Sequence, residues 1–245
     1  MIKIKTKEEI EIMAANGKIL ASILKEVESK VKPGITTEEL NRVAETLILN
    51  SKGIPSFKNY DKYPATLCTS INEEIVHGVP GPRILKEGDI ISLDIGMKRN
   101  GFHSDMATTV GVGKISPQAQ RLIWVTKKAF KRGVKNMKVG STLGDVGNTI
   151  QRYVEDQGFG VVRELCGHGI GRELHEDPQI LNYGKRHTRE VIEEGMVLYL
   201  EPMVTVGDWR IEEDGFCYKT ADNSLSAHYE HTIAITKSGP VILTI

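Results

Sequence analysis

The chain has 245 residues, in which 32 Lys+Arg balance 32 Asp+Glu to give a formal net charge of +0 and a pI near 7.1. That balance argues against a DNA, RNA or anionic-membrane binder, which carries a basic excess or stripe, and no apolar run approaches the ~18 residues of a membrane span. Three scattered cysteines (Cys68, Cys166, Cys217), a charged opening segment unlike a signal peptide, and 40% hydrophobic residues fit a globular protein of the reducing cytoplasm.

In chain order, Thr6 and Glu9 have the spacing of a capping box, in which each side chain satisfies an orphan N–H of a helix start. Ile10, Met13, Ala14, Gly17, Leu20, Leu24 and Val27 then repeat at helical spacing, which predicts a helix over about 7–30, ended by Pro33-Gly34. Thr36 with Glu39 opens a second helix, whose apolar stripe runs from Leu40 to Ile48 and which Gly53-Ile54-Pro55 closes. From Gly88 the period becomes two. Residues 89–97 and 102–112 flank Asn100-Gly101, the strongest short-range hairpin signal. Ser116-Pro117 opens another helix pair, running to about 135 and over about 142–157, and strands are predicted near 161–166, 196–206 and 229–236.

The order helix, helix, strands occurs twice, and the residues repeat with it. VKPGITTEEL (31–40) aligns with MKVGSTLGDV (137–146), and LCTSINEEIVHGVP (67–80) with LCGHGIGRELHEDP (165–178). LKEGDIISLDIG (85–96) aligns with IEEGMVLYLEPM (192–203), and FHSDMATT (102–109) with AHYEHTIA (227–234). These matches place Asp94 opposite Glu201, Asp105 opposite Glu230, His77 opposite His175 and His103 opposite His228. They predict an α/β chain duplicated within itself, with halves of approximately 1–113 and 114–245.

The polar residues of the strands carry the chemistry. About an Asn100-Gly101 turn, Asp94 opposes Ala107 and Asp105 opposes Gly96, so both acids project from one face, one diagonal step apart. A solvated face is the plain reading for strand acids. Asp94, however, interrupts the apolar run Ile90, Ile91, Leu93, Ile95, and an acid in a buried sheet needs a partner. Glu201 repeats the situation in VLYLEPMV. If the halves face each other, four carboxylates meet with a charge of about −4, which two divalent ions balance better than one. Oxygen-rich ligation with one imidazole suits Mn²⁺, Fe²⁺ or Co²⁺ better than structural zinc. The candidate imidazole is His168, set among Gly167, Gly169 and Gly171; taken alone it reads as well as a surface histidine in a glycine loop. His77 and His175, matched by the repeat, suit substrate hydrogen bonding and proton transfer better than ligation. HExxH, the Walker loop and the GxSxG elbow are all missing from the sequence.

Asp94, Asp105, His168, Glu201 and Glu230, with the strings CGHGIGRELHEDP, YLEPM and SAHYEHTIAIT, resemble the ligand set of the pita-bread metallopeptidases, most closely the type I methionine aminopeptidases. The resemblance implies two pseudo-symmetric α/β halves around a central antiparallel sheet covered by helices. It implies two divalent metal ions (Co, Mn or Fe, with Zn or Ni behind them). Asp94 would chelate one, Asp105 and Glu230 would bridge the pair, and His168 with Glu201 would complete the other. Glu201 is also the implied general base, with His77 beside the scissile peptide and His175 on the substrate or the developing tetrahedral oxygen. The implied methionine pocket comprises Tyr60, Tyr63, Cys68, Leu174 and Phe216. Many bacterial relatives instead carry Trp at Phe216, Phe at Leu174 and Cys at Phe57, a departure that bears on pocket shape. A monovalent cation (Na⁺ or K⁺) is implied at the backbone of Asn72 and Glu74 and at Ser226.

The implied activity is removal of the initiator methionine from nascent polypeptides when the second residue is small. The implied enzyme is a cytoplasmic monomer. The ribosome would be an attendant partner, though no zinc-binding extension or basic tail encodes that contact. Prolidase and aminopeptidase P, which cut Xaa-Pro bonds, share the ligands but carry an N-terminal domain for which a capping box at residue 6 leaves no room. A type II methionine aminopeptidase would carry a long helical insertion, and a non-catalytic peptide-binding relative would have lost ligands.

Overall fold

A computed structural model describes residues 1–245. Helices α1 (Lys7–Ser29) and α2 (Thr37–Asn50) come first, followed by β1 (Ile54–Pro55), β2 (Leu67–Ile71), β3 (Glu74–Val76) and the long hairpin β4 (Ile90–Arg99) and β5 (Phe102–Gly111). Helices α3 (Pro117–Asn136) and α4 (Leu143–Asp156) lead into β6 (Gly160–Val161), β7 (Gly167–Gly169), β8 (Glu176–Ile180), β9 (Val197–Leu200) and β10 (Met203–Thr205). A small hairpin, β11 (Ile211–Asp214) and β12 (Cys217–Thr220), precedes β13 (Ser226–His228), β14 (Glu230–Thr236) and β15 (Gly239–Ile242).

The helix starts follow local chemistry. Thr6 and Glu9, Thr36 and Glu39, and Thr142 and Asp145 each form a capping box, and Ser116 caps α3 ahead of Pro117. The apolar stripes then choose the packing. Leu20, Leu24 and Val27 of α1 and Leu40, Ala44 and Ile48 of α2 bury against Ile91, Leu93 and Ile95 of β4. Leu122, Val125, Ala129 and Phe130 of α3 and Val146, Ile150 and Val154 of α4 bury against Leu198 and Leu200 of β9 and Ile233 and Ile235 of β14. Alpha-1 also lies close to the end of the chain: a Cβ on Gly17 would stand 2.3 Å from the Leu243 carbonyl oxygen, so only glycine fits.

Beneath the helices runs one mixed-length antiparallel sheet, ordered β1-β4-β5-β14-β9-β7-β8, with β2 added beside β4 and β15 beside β14. Two small sheets flank it, β13-β10-β6 and β11-β12-β3. Asn100 and Gly101 both take positive φ (50° and 83°), as a two-residue hairpin requires, and β4 and β5 pair in the expected register, Asp94 with Ala107 and Gly96 with Asp105. Three expected strands differ. The 196–206 strand is cut at Glu201-Pro202, because proline has no N–H for the ladder. The 229–236 strand starts at Glu230, after a break at Tyr229. Of 161–166, only Val161 is in a strand, and the chain pairs again at β7. Two isolated bridges, Thr36 to Ile84 and Thr142 to Val191, tie each second helix start to the loop before a strand of the main sheet, β4 and β9 respectively.

Candidate metal centre

The site is built from the register. Asp94 on β4 faces Ala107 on β5, and Ala107 faces Glu230 on β14, so the three side chains form one row on one face of the sheet. Ala107, fully buried, is only a methyl group and leaves the space between the two acids open. Asp105 sits two residues along β5 on the same face. Glu201 follows the last residue of β9, where His231 pairs with Leu200, and so stands beside Glu230 at the point where the ladder ends. His228, on β13 opposite Met203, lies two residues before Glu230.

Two groups of potential ligand atoms result, each within 4.8 Å of one another: Asp94, Asp105 and Glu230, and Glu201, His228 and Glu230. Glu230 belongs to both. Asp94 Oδ1, Asp105 Oδ1, both Glu230 oxygens and both His228 ring nitrogens are buried without a hydrogen-bond partner in the protein. Buried oxygen and nitrogen atoms left unpaired are costly, and a set of carboxylate oxygens with an imidazole is the donor chemistry of a divalent metal site. The residues fit such a group.

Electrostatics point the same way. Burial drives the carboxyl groups upward: Asp94 to about 7, Asp105 and Glu230 well above the ordinary range with Asp94 adding like charge, and Glu201 well above it through burial alone. Without a cation the cluster keeps protons. Burial pushes the imidazoles the opposite way, His168 to about 3 and His228 to about 4, leaving them neutral with a lone pair to offer.

A cavity of about 640 Å³ opens above these acids. His168 lines it, although it lies outside both tight groups; its Nδ1 donates to the Gly169 carbonyl at 2.8 Å, which leaves Nε2 as the free acceptor. Gly167 and Gly169 make that placement feasible, since a Cβ on either would stand 2.1 Å from a carbonyl oxygen, of Tyr199 and Asp177 respectively. His175 lies edge-on to His168 with centroids 4.4 Å apart, and its Nδ1 is 2.7 Å from the Tyr60 hydroxyl. His77, at φ 60°, lies edge-on to the ring of Tyr218. Enclosure pushes both His77 and His175 downward.

The remaining expected residues divide by place. Tyr60, Tyr63, Cys68, Leu174 and Phe216 all line the cavity together with Phe57. Tyr63 donates to the Gly78 carbonyl at 2.9 Å and meets Phe216 edge-on, while Cys68 pairs with Asp94 across β2 and β4. Asn72, Glu74 and Ser226 lie outside the cavity: the Asn72 carbonyl accepts from Ser226 N–H at 2.8 Å, the Glu74 carboxylate accepts from Ile71 N–H and Arg83, and Ser226 Oγ is buried without a partner. Sequence reasoning missed His228 as a member of the cluster and Tyr199, whose ring backs His168 at 4.7 Å. The only signal for His228 was its repeat match with His103. That match misleads about role, because His103 is satisfied by Ser56 Oγ at 2.8 Å and lies in neither ligand group.

Comparisons with known proteins agree with this geometry. The profile described as metallopeptidase family M24 matches residues 11–237. The chain is 49% identical over 247 residues to "Methionine aminopeptidase" of Clostridium perfringens, spanning 100% of this chain and 99% of that one. It is 46% identical over 246 residues to "Methionine aminopeptidase 1" of Bacillus subtilis, spanning 100% and 99%. Among solved structures, a methionine aminopeptidase from Thermotoga maritima superposes with a TM-score of 0.97 at 45% identity, covering 100% and 99%. A prolidase from Pyrococcus furiosus superposes at 0.78 and 25% identity, and this chain covers 65% of it. The chain belongs to metallopeptidase family M24 and, within it, to the methionine aminopeptidases.

Proposed function

We infer that the chain is a metal-dependent aminopeptidase that removes an N-terminal methionine by hydrolysis of the first peptide bond. The observation that carries this reading is the pair of ligand groups sharing Glu230 in a cavity whose other lining residues include apolar and aromatic side chains. Asp94 with Asp105 and Glu230 would hold one divalent ion, and Asp105 and Glu230 with Glu201 and His168 a second. A cluster of about −4 is balanced by two such ions, and its oxygen-rich donors favour Co, Mn or Fe over Zn or Ni. When bound, two ions there would acidify a water and polarise the scissile carbonyl.

The chain's own residues divide the rest of the work. Glu201, whose side chain is 12% exposed at the cavity floor, would take the proton of the attacking water and pass it to the leaving amine. With the Tyr60 hydroxyl, 2.7 Å away, as donor to His175 Nδ1, Nε2 would keep a proton and would hydrogen-bond the carbonyl oxygen as charge develops on it. His77 would hydrogen-bond the scissile peptide from the cavity wall. Tyr60, Tyr63, Cys68, Leu174 and Phe216, with Phe57 beside them, would enclose the thioether, a polarizable group suited to aromatic neighbours. A bulky second residue would collide with the walls beside the acids, so small second residues are preferred.

The substrates on this reading are N-termini of nascent polypeptides in the cytoplasm, met by a monomer in the company of the ribosome. A monovalent ion, Na⁺ or K⁺, would use the carbonyls of Asn72 and Glu74 and the unpaired Ser226 hydroxyl, which supports a polar ligand there. The Xaa-Pro reading is not favoured, since the full-length relatives at 46–49% identity bear the methionine aminopeptidase name. The test is cleavage of Met-Ala-Ser, Met-Arg-Ser and Leu-Pro-Ser by metal-stripped protein resupplied with Co²⁺ or Mn²⁺. Metal-dependent loss of Met from the first peptide alone is expected. Cleavage of Leu-Pro-Ser, or none of any peptide with metal bound, would overturn the assignment.

A further inference from the structure

Of the three buried histidines, two have hydrogen-bond partners within the protein. His103 Nδ1 meets Ser56 Oγ at 2.8 Å, and His231 meets Thr244 Oγ1 at 2.9 Å and the Tyr229 hydroxyl at 3.0 Å. His228 is the exception. Its side chain is 2% exposed, and neither ring nitrogen has a hydrogen bond. Its backbone, by contrast, is clamped: its N–H donates to Thr109 Oγ1 at 2.9 Å, and the Thr109 hydroxyl donates back to its carbonyl at 2.8 Å. With that single hydroxyl proton spent on His228, Ser92 Oγ must donate to Thr109 at 2.7 Å, so the clamp is itself braced. A ring held this firmly and left unpaired needs a partner that the protein does not supply.

The neighbours say what kind. Nε2 lies 2.8 Å from Glu230 Oε2 and 3.5 Å from Glu201 Oε2. At 2.8 Å a hydrogen bond would be short and strong, yet the Glu230 oxygen stands off the ring's N–H axis and makes none. Co-ligands have this arrangement: the ion lies on the nitrogen lone-pair axis and the neighbouring oxygens lie to the side. Two donors each about 2.1 Å from one ion and 90–110° apart are about 3.0–3.4 Å from each other, and the two observed separations bracket that range.

We propose that His228 is a sixth residue of the metal centre, a neutral imidazole ligand on the Glu201 and Glu230 side, in addition to His168. This rests on the metallopeptidase reading above. A second nitrogen adds a donor without adding charge, so two divalent ions still balance the four carboxylates. It also tilts the site toward ions that favour imidazole, such as Co²⁺ and Ni²⁺, relative to Mn²⁺.

The test is proton NMR of the Co²⁺-loaded protein, in which each coordinated imidazole with a protonated distal nitrogen gives an exchangeable resonance shifted far outside the diamagnetic range. Wild type should show two, one lost in His168→Ala and the other in His228→Gln. Titration of the stripped proteins should show that His228→Gln weakens Co²⁺ and Ni²⁺ binding by ~10-fold or more, with a smaller loss for Mn²⁺. Urea unfolding of the stripped variants checks that the fold survives, and His228→Asn stands in should Gln not fold. A single shifted resonance in wild type, still present in His228→Gln, would overturn the proposal and leave the metallopeptidase reading intact. Failure of wild type to take up Co²⁺ would overturn both.

Discussion

Asp94→Asn should make the metal-free protein progressively more stable than wild type as pH rises. The Asp94 side chain lies in a residue 8% exposed, between Cys68 and Ala107 and on the same face as Asp105 and Glu230. Burial lifts its pKa to about 7 from an ordinary 3.8. A carboxyl whose folded pKa is raised contributes its stability in full below the unfolded pKa and loses it as pH climbs through the folded one. Three units at ~1.36 kcal/mol each amount to ~4 kcal/mol lost between about pH 4 and pH 7. Asp105 and Glu230 titrate together with Asp94, so the loss belongs to the set. Removing one acid should therefore recover about half of it, ~2 kcal/mol. The buried histidines act in the opposite sense: their folded pKa values are lowered, so stability is lost as pH falls through the unfolded value near 6.5. They are present in both proteins and cancel in the difference to first order. Urea unfolding in chelator at about pH 5 and about pH 7.5, with m unchanged, measures it. Two of those three units lie between the two conditions, so the advantage of the variant should grow by ~1.4 kcal/mol between them. With Co²⁺ in ~100-fold excess over Kd the order should invert, since wild type gains ~2.7 kcal/mol from binding and the variant gains little. An offset that is the same at both pH values would refute the reasoning, because it would mean the acids are not crowded and protonated in the empty cluster.

Glu201→Gln should abolish turnover, by at least ~10³-fold, and weaken the second ion; a peptide assay beside a metal titration checks both, and near-normal activity would remove Glu201 from the chemistry. His175→Ala should lower kcat by ~10²-fold while leaving metal affinity close to wild type, as expected for one lost transition-state donor. A large loss of metal instead would make it a ligand. Ala107→Leu should fill the gap between Asp94 and Glu230, costing ~1–3 kcal/mol of stability by overpacking and ~10-fold or more in metal affinity, read by calorimetry; unchanged affinity would show that the ions do not use that gap.

Much of this was legible because it was local. Capping boxes at Thr6 and Thr36 placed two helices within a residue, and Asn100-Gly101 set the β4–β5 register that puts Asp94 and Asp105 on one face. The family resemblance, rather than any pattern in the residues themselves, pointed to the cavity residues from Tyr60 to Phe216. What escaped was not local. Hydrophobic period two cannot see a break inside VLYLEPMVT, where the apolar pattern continues through Glu201-Pro202 while the ladder does not. Nor can it see that His228 faces Glu230, because that contact needs β13 to pair with β10 and β14 with β9. The internal duplication remains our reading of the sequence. The paired bridges at Thr36 and Thr142 support it, whereas the unlike fates of His103 and His228 show that matched positions need not share a role.

The two interruptions that sequence periodicity missed are the reason a site exists at this place. The chain leaves the main sheet after Leu200 and joins the small sheet at Met203; it leaves the small sheet after His228 and rejoins the main one at Glu230. The two crossings lie side by side, and regular pairing lapses over Glu201-Pro202 on one strand and Tyr229 on the other, where a long bond from Tyr229 N–H to the Pro202 carbonyl (3.4 Å) remains. The break costs little, since Pro202 has no N–H to satisfy and the Glu201 carbonyl accepts from the Asn182 amide at 3.0 Å. The register is the same on both sides of the break, His231 with Leu200 and His228 with Met203, so Glu230 comes opposite Glu201 with His228 two residues away on the same face. Where the strands part, side chains from both sheets converge on a common space, and Glu201, His228 and Glu230 are the residues at the edges of that parting. Carboxylates and an imidazole without a hydrogen bond fill this wedge, and that donor set is the chemistry of a divalent-cation site.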